Sequence, residues 1–88
     1  MKVQEVISEI KKNTPKSIHL TKISLRVNHS ILNEKENLEC VIFYKYKKNK
    51  DSNFTSYSYE NSVDELIHNI KEAYYEIRKK YEQTVIEL

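Results

Sequence analysis

Apolar and aromatic residues recur at Val63, Ile67, Ile70, Tyr74, Ile77 and Tyr81, four, three, four, three and four residues apart. That period draws one stripe along a helix. Ser62-Val63-Asp64-Glu65 ahead of it reads as a capping box: the Ser oxygen accepts from the amide three residues on, and the Glu reaches back to the Ser amide. Together they predict a long helix over 62–88. A shorter stripe opens the chain. Val3, Val6, Ile7 and Ile10 stand at i, i+3, i+4 and i+7, which predicts a helix of about three turns within 1–12. Asn13-Thr14-Pro15 ends it, since Asn tolerates a left-handed cap and Pro disfavours helical backbone at the residue before it.

Between the helices the period changes to two. Leu38, Cys40, Ile42, Tyr44 and Tyr46 fall on one face, and Val41, Phe43, Lys45 and Lys47 on the other. Residues 38–47 therefore read as a strand whose first set faces the core. Within 17–31, Ile18 and Leu20 share one phase while Ile23, Leu25 and Val27 take the opposite one by simple alternation. The change near Thr21-Lys22 predicts a bulge or a break into two short strands. Residues 54–59 alternate Thr55, Tyr57 and Tyr59 with Phe54, Ser56 and Ser58, giving a third strand. Asn33-Glu34-Lys35-Glu36-Asn37 and the run 48–53 read as polar connections. The expected fold is one α+β domain over 1–88, in the order α-β-β-β-α, with a three-stranded antiparallel sheet.

Helix and strand lengths in this reading do not match. Residues 63–88 would run about 39 Å as a helix, against about 27 Å for an eight-residue strand. Two or three turns should overhang, carrying Tyr81, Val85, Ile86 and Leu88. Apolar surface at a free end predicts docking of a host protein or of a second copy.

Composition then narrows the chemistry. The chain has no Gly, which removes a phosphate-cradling glycine loop. Its net charge of +2 creates no global field toward nucleic acid. Residues 1–33, however, hold six Lys/Arg against two Glu, and 63–88 six acids against four bases, so one face is expected to be basic. Cys40 is the single cysteine and sits in an apolar run, which fits a core residue in a reducing, cytoplasmic setting better than a nucleophile. No apolar run reaches membrane-spanning length, so no membrane partner is expected. His19, His29 and His68 lack zinc-ligand spacing; Asp64–His68 at i+4 supplies too few ligands. Glu72, Glu76 and Lys80 read as a solvated charge row. The expectation is no enzyme, no metal and no cofactor.

One constellation stands out. Lys45, Lys47, Lys48 and Lys50 cluster at the end of the central strand, interleaved with Tyr44 and Tyr46 and facing Phe54, Tyr57 and Tyr59 across the hairpin. Phe43, Lys45, Lys47, Tyr57 and Tyr59 on one sheet face would suit stacked bases and a phosphate track. The plainer reading is a partly covered face whose lysines guard against edge pairing.

The α-β-β-β-α order resembles the double-stranded-RNA-binding domain. That family has Gly-rich strand connections and a Lys-rich start to its last helix, where this chain has no Gly and begins Ser62-Val63-Asp64-Glu65. A second resemblance rests on Val6-Ile7-Ser8-Glu9-Ile10-Lys11-Lys12-Asn13, Ile23-Ser24-Leu25-Arg26-Val27-Asn28 and Ser58-Tyr59-Glu60-Asn61-Ser62-Val63-Asp64-Glu65. In type and order these pieces resemble small phage-encoded anti-CRISPR proteins, inhibitors of CRISPR effector nucleases. Members of that family are strongly acidic, whereas this chain is slightly basic. The resemblance implies a mobile-element protein that inhibits a host macromolecule, such as a CRISPR effector, by direct protein contact. It carries over no functional residue. A nucleic-acid-binding module using the Lys/Tyr hairpin and a homodimer through the C-terminal helix are the alternatives.

Overall fold

A computed structural model describes residues 3–29 and 36–82. Helix α1 spans Val3–Lys12, strands β1, β2 and β3 span Ile18–His29, Glu36–Tyr46 and Asn49–Glu60, and helix α2 spans Val63–Tyr81. The strands form one antiparallel sheet in the order β1-β2-β3. This is the α-β-β-β-α order that the two periodicities predict.

The core lies on one face of the sheet. Leu38, Cys40, Ile42, Tyr44 and Tyr46 of β2 are all buried there, under Val6 and Ile10 of α1 and Leu66, Ile70 and Tyr74 of α2. The centre of the α2 stripe is thus the i, i+4, i+8 row through Leu66, which the spacing argument passes over in favour of Ile67. Val63, Ile67 and Ile77 flank that row, half-buried, as the wide apolar stripe of a core-facing helix requires. Helix α2 packs chiefly on β3, whose core face carries the small Ser56 and the buried Ser58, so the helix can approach closely. The Thr14 Oγ1 and Tyr74 hydroxyls are hydrogen-bonded at 2.9 Å, tying the end of α1 to the middle of α2. At the start of α2 the Glu65 amide donates to Ser62 Oγ at 3.2 Å, the first of the two bonds of the expected capping box.

Strand β1 resolves its change of phase with a bulge. Leu20 opposes Tyr44 and Lys22 opposes Phe43, leaving Thr21 as an extra residue whose Oγ1 donates to the Phe43 carbonyl at 3.0 Å. Simple alternation would turn Ile23, Leu25 and Val27 away from Ile18 and Leu20. The bulge instead returns them to the same face, opposite Ile42, Cys40 and Leu38. No break into two strands occurs.

The second connection is tighter than the polar run implies. Strand β3 already begins at Asn49, so the turn is Lys47-Lys48 alone. Between the Tyr44–Phe54 and Tyr46–Asn49 pairs, β3 takes five steps to two on β2. Ser52 absorbs this irregularity: its Oγ accepts from the Tyr46 amide at 2.9 Å and donates to the Asn49 carbonyl at 2.6 Å. Glu36 and Asn37 likewise belong to β2 rather than to the first connection, whose residues 33–35 lie outside the described residues.

Among the described residues, α2 does not overhang the sheet. Nineteen residues of α2 span about 28 Å, while the eleven of β2 span about 36 Å. The helix is shorter than the sheet, because the strands are longer than eight residues and Glu82 caps the helix, donating its amide to the Arg78 carbonyl at 2.8 Å. Tyr81 consequently ends over the sheet, stacked on Tyr46 at 5.4 Å and edge-on to Phe54 at 5.9 Å. Val85, Ile86 and Leu88 lie outside the described residues. Among the described residues, no helix is long and apolar enough to cross a membrane.

Candidate functional site

Both helices cover the same side of the sheet, so its other side is open. Directly opposed residues of antiparallel strands point to the same face, and the register therefore fixes what lines it. Three rows cross the strands: Arg26, Glu39 and Tyr59; Ser24, Val41 and Tyr57; Lys22, Phe43 and Thr55. His19 and Lys45 follow toward the hairpin. Tyr57 is 62% exposed and Tyr59 49%, the largest apolar surfaces of the sheet. Val41 and Phe43 lie half-buried between the strands' longer side chains.

Aromatic rings and cations interleave on this face. The Lys22 ammonium sits 5.5 Å from the centre of the Phe43 ring, a cation–π contact that spans β1 and β2. Arg26 and Lys22 are exposed on β1 and Lys45 is half-buried on β2, with Glu39 the one carboxylate in the three rows. The hairpin extends the positive edge. His19, Lys45, Lys47 and Lys50 line one shallow depression together with an edge of Tyr46. Lys48 is not among them; with the Tyr46 hydrogen bond and Arg78, its charge helps hold the Glu82 carboxyl at the end of α2 low.

The sequence-derived set is therefore brought together in part. Phe43, Lys45, Tyr57 and Tyr59 share the open face, Lys47 and Lys50 border it at the hairpin end, and Lys48 is exposed in the turn. Phe54 is on the core side, 5.6 Å from Tyr44. Lys22, Arg26 and His19 are the members that pattern reading misses. For Lys22 and Arg26 the signal is the Thr21 phase change: once a single-residue bulge is placed there, Lys22, Ser24 and Arg26 become the outward set of β1, while His19 follows from alternation with Ile18 and Leu20.

Cys40, Tyr44 and Tyr74 are turned inward, and His68 is paired locally on α2. Burial pushes the Cys40 thiol up to about 11, so it stays protonated on the core side. Burial also raises Tyr44 and Tyr74 in the same core. His68 pairs with Glu72 at 3.1 Å rather than with Asp64, on the solvent side of α2. Among the described residues, no three of His, Cys, Asp and Glu converge as metal ligands would.

No known protein family, characterised protein or solved structure matches this chain. Its function is thus read from the geometry of the open face. That face offers exposed π-surfaces, cations on two of its three strands, and one acceptor carboxylate.

Proposed function

We propose that this chain is a non-catalytic binding protein that works through its open sheet face, and that nucleic acid is the ligand class which the face suits best. The observation that carries this is the exposure of Tyr57 and Tyr59 beside Phe43, with Lys22, Arg26 and Lys45 in neighbouring positions on a face neither helix covers. Base stacking on aromatic side chains plus cation–phosphate attraction is how open sheets hold nucleic acid. Fluorescence anisotropy of a labelled oligonucleotide across a salt series tests it. Binding should weaken steeply with salt and fall on Lys45→Ala and Lys47→Ala. Binding that is absent at low salt, or flat across the series, overturns the reading.

A second reading is supported by Glu39. A carboxylate between Arg26 and Tyr59 repels phosphate but suits a protein surface, and Tyr and Arg are residues on which protein interfaces depend. On this reading the chain is an inhibitor of the mobile-element type that occupies a host macromolecule by protein contact. It expects one stoichiometric partner from a bacterial lysate, lost with Glu39→Lys or Tyr59→Ala. A partner retained by both variants would place the contact elsewhere.

A further inference from the structure

Building on the nucleic-acid reading, we infer that the open face takes a single strand and not a duplex, with bases on Tyr57, Tyr59 and Phe43 and phosphates along the Lys22–Arg26 edge of β1.

Spacing is the first reason. Tyr57 and Tyr59 are alternate residues of one strand, hence about 7 Å apart along it. Phe43 opposes Thr55, which makes it a diagonal neighbour of Tyr57 at about 7–8 Å. Bases in a duplex follow one another at about 3.4 Å and hide their flat faces in the stack. Rings at twice that interval can be used only by bases splayed apart, as unpaired bases are.

Shape is the second. The major groove of a duplex is read by an element narrow enough to enter it: a helix, or a two-stranded ribbon. Here the rings lie in the middle and along one edge of a three-stranded surface, where no groove can close around them.

The third is the placement of charge. Cations of β1 and tyrosines of β3 stand on opposite flanks of β2, about 10 Å apart at two strand spacings. A strand lying along the sheet can thus keep its bases over β3 and β2 and its phosphates over β1. Lys22 rests on the very ring that a base would claim. Stacking on Phe43 displaces its ammonium toward the backbone of the same strand, so one contact is exchanged for two. Glu39, between the two flanks, offers an acceptor for exocyclic amino groups, not a phosphate contact.

The deciding experiment uses the full chain and a labelled mixed-sequence 12-mer, single-stranded and annealed to its complement, at equal ionic strength. The single strand should bind at least about tenfold more tightly than the duplex. Tyr57→Ala with Tyr59→Ala should lose about tenfold or more, while Tyr57→Phe retains affinity, because stacking is sequence-tolerant and needs only the ring. Lys22→Ala and Arg26→Ala should each flatten the slope of log affinity against log salt by about 0.7, the single-strand value for one phosphate contact. All four side chains lie on the open face, and unchanged circular dichroism melting shows that the variants fold. Equal or tighter duplex binding that survives Tyr57→Ala overturns this inference while keeping the nucleic-acid reading, and points to the hairpin as a groove-entering ribbon. Absence of binding to both probes overturns the two together. So does a dimer in light scattering that Tyr57→Glu dissociates, since a second copy would then cover the face.

Discussion

Tyr46 donates its phenolic hydrogen to Glu82 Oε1 at 2.7 Å, joining the last residue of β2 to the C-cap of α2. Tyr81 stacks on the same Tyr46 ring, and Arg78 lies 3.7 Å from the other Glu82 oxygen. The hydrogen bond from Tyr46 holds the Glu82 carboxyl below the usual range, helped by the charges of Arg78 and Lys48. It also raises the Tyr46 phenol. A depressed carboxyl contributes stability above its unfolded-state pKa and loses it as pH falls through the lower folded value. Tyr46→Phe is therefore expected to lower the melting temperature at pH 6–7, with the gap to wild type narrowing below about pH 4, where Glu titrates in the unfolded chain. A gap unchanged down to pH 2.5 would mean that the lost ring–hydroxyl packing, not the carboxylate, matters. The raised phenol works in the opposite sense, its contribution fading above pH 10.

Ile70 is 1% exposed at the centre of the α2 stripe. Ile70→Ala should destabilise by roughly 2–5 kcal/mol in urea unfolding, as buried large-to-small changes do. Tyr57→Ala, on the open face, should stay within about half a kcal/mol. A loss for Tyr57 comparable to that for Ile70 would show that the open face is covered in solution.

Cys40 is 1% exposed and its thiol is pushed up to about 11 by burial. Labelling by a thiol reagent at pH 8 should follow the unfolding equilibrium, accelerating in urea in step with the loss of circular dichroism. Rapid labelling in native buffer would contradict its placement. The thiol also gives stability a sign at high pH. Its folded form keeps a proton that the unfolded chain releases near 9, so stability falls between about 9 and 11.

Ser52 is 7% exposed and supplies the acceptor for the Tyr46 amide. Ser52→Ala should cost about 1–3 kcal/mol by leaving that buried donor unsatisfied. Hydrogen exchange at the Tyr46 amide should accelerate to match. Native-like protection there would show that another acceptor replaces the hydroxyl.

Sequence patterning reaches some of these features and not others. Strand β2 is legible because its two faces differ in kind, and all five residues assigned to the core are buried. The Ser62 cap and α1 are equally plain, each written in local chemistry. The start of β3 is hidden. Lys-Asn-Lys-Asp-Ser-Asn is poor in strand formers, and what makes it extended is a tertiary bond from Ser52 to β2. The length of α2 misleads for a related reason: its end is set by the Glu82 cap and the Tyr46–Tyr81 stack, both invisible to periodicity. Of the candidate site, Phe43, Lys45, Tyr57 and Tyr59 follow from alternation. Lys22 and Arg26 require knowing which of two phases applies after Thr21.

That last dependence has a genetic consequence. With Thr21 deleted, Leu20 and Lys22 would be consecutive, as their partners Tyr44 and Phe43 already are, so Lys22 and Arg26 would keep the open face and Ile23, Leu25 and Val27 the core side. Substitution at Thr21 loses only one side-chain hydrogen bond to the Phe43 carbonyl. Loss of this one codon should therefore be tolerated better than loss of a paired residue in the middle of β1, and a scan of in-frame deletions along the strand should show its mildest effect at Thr21.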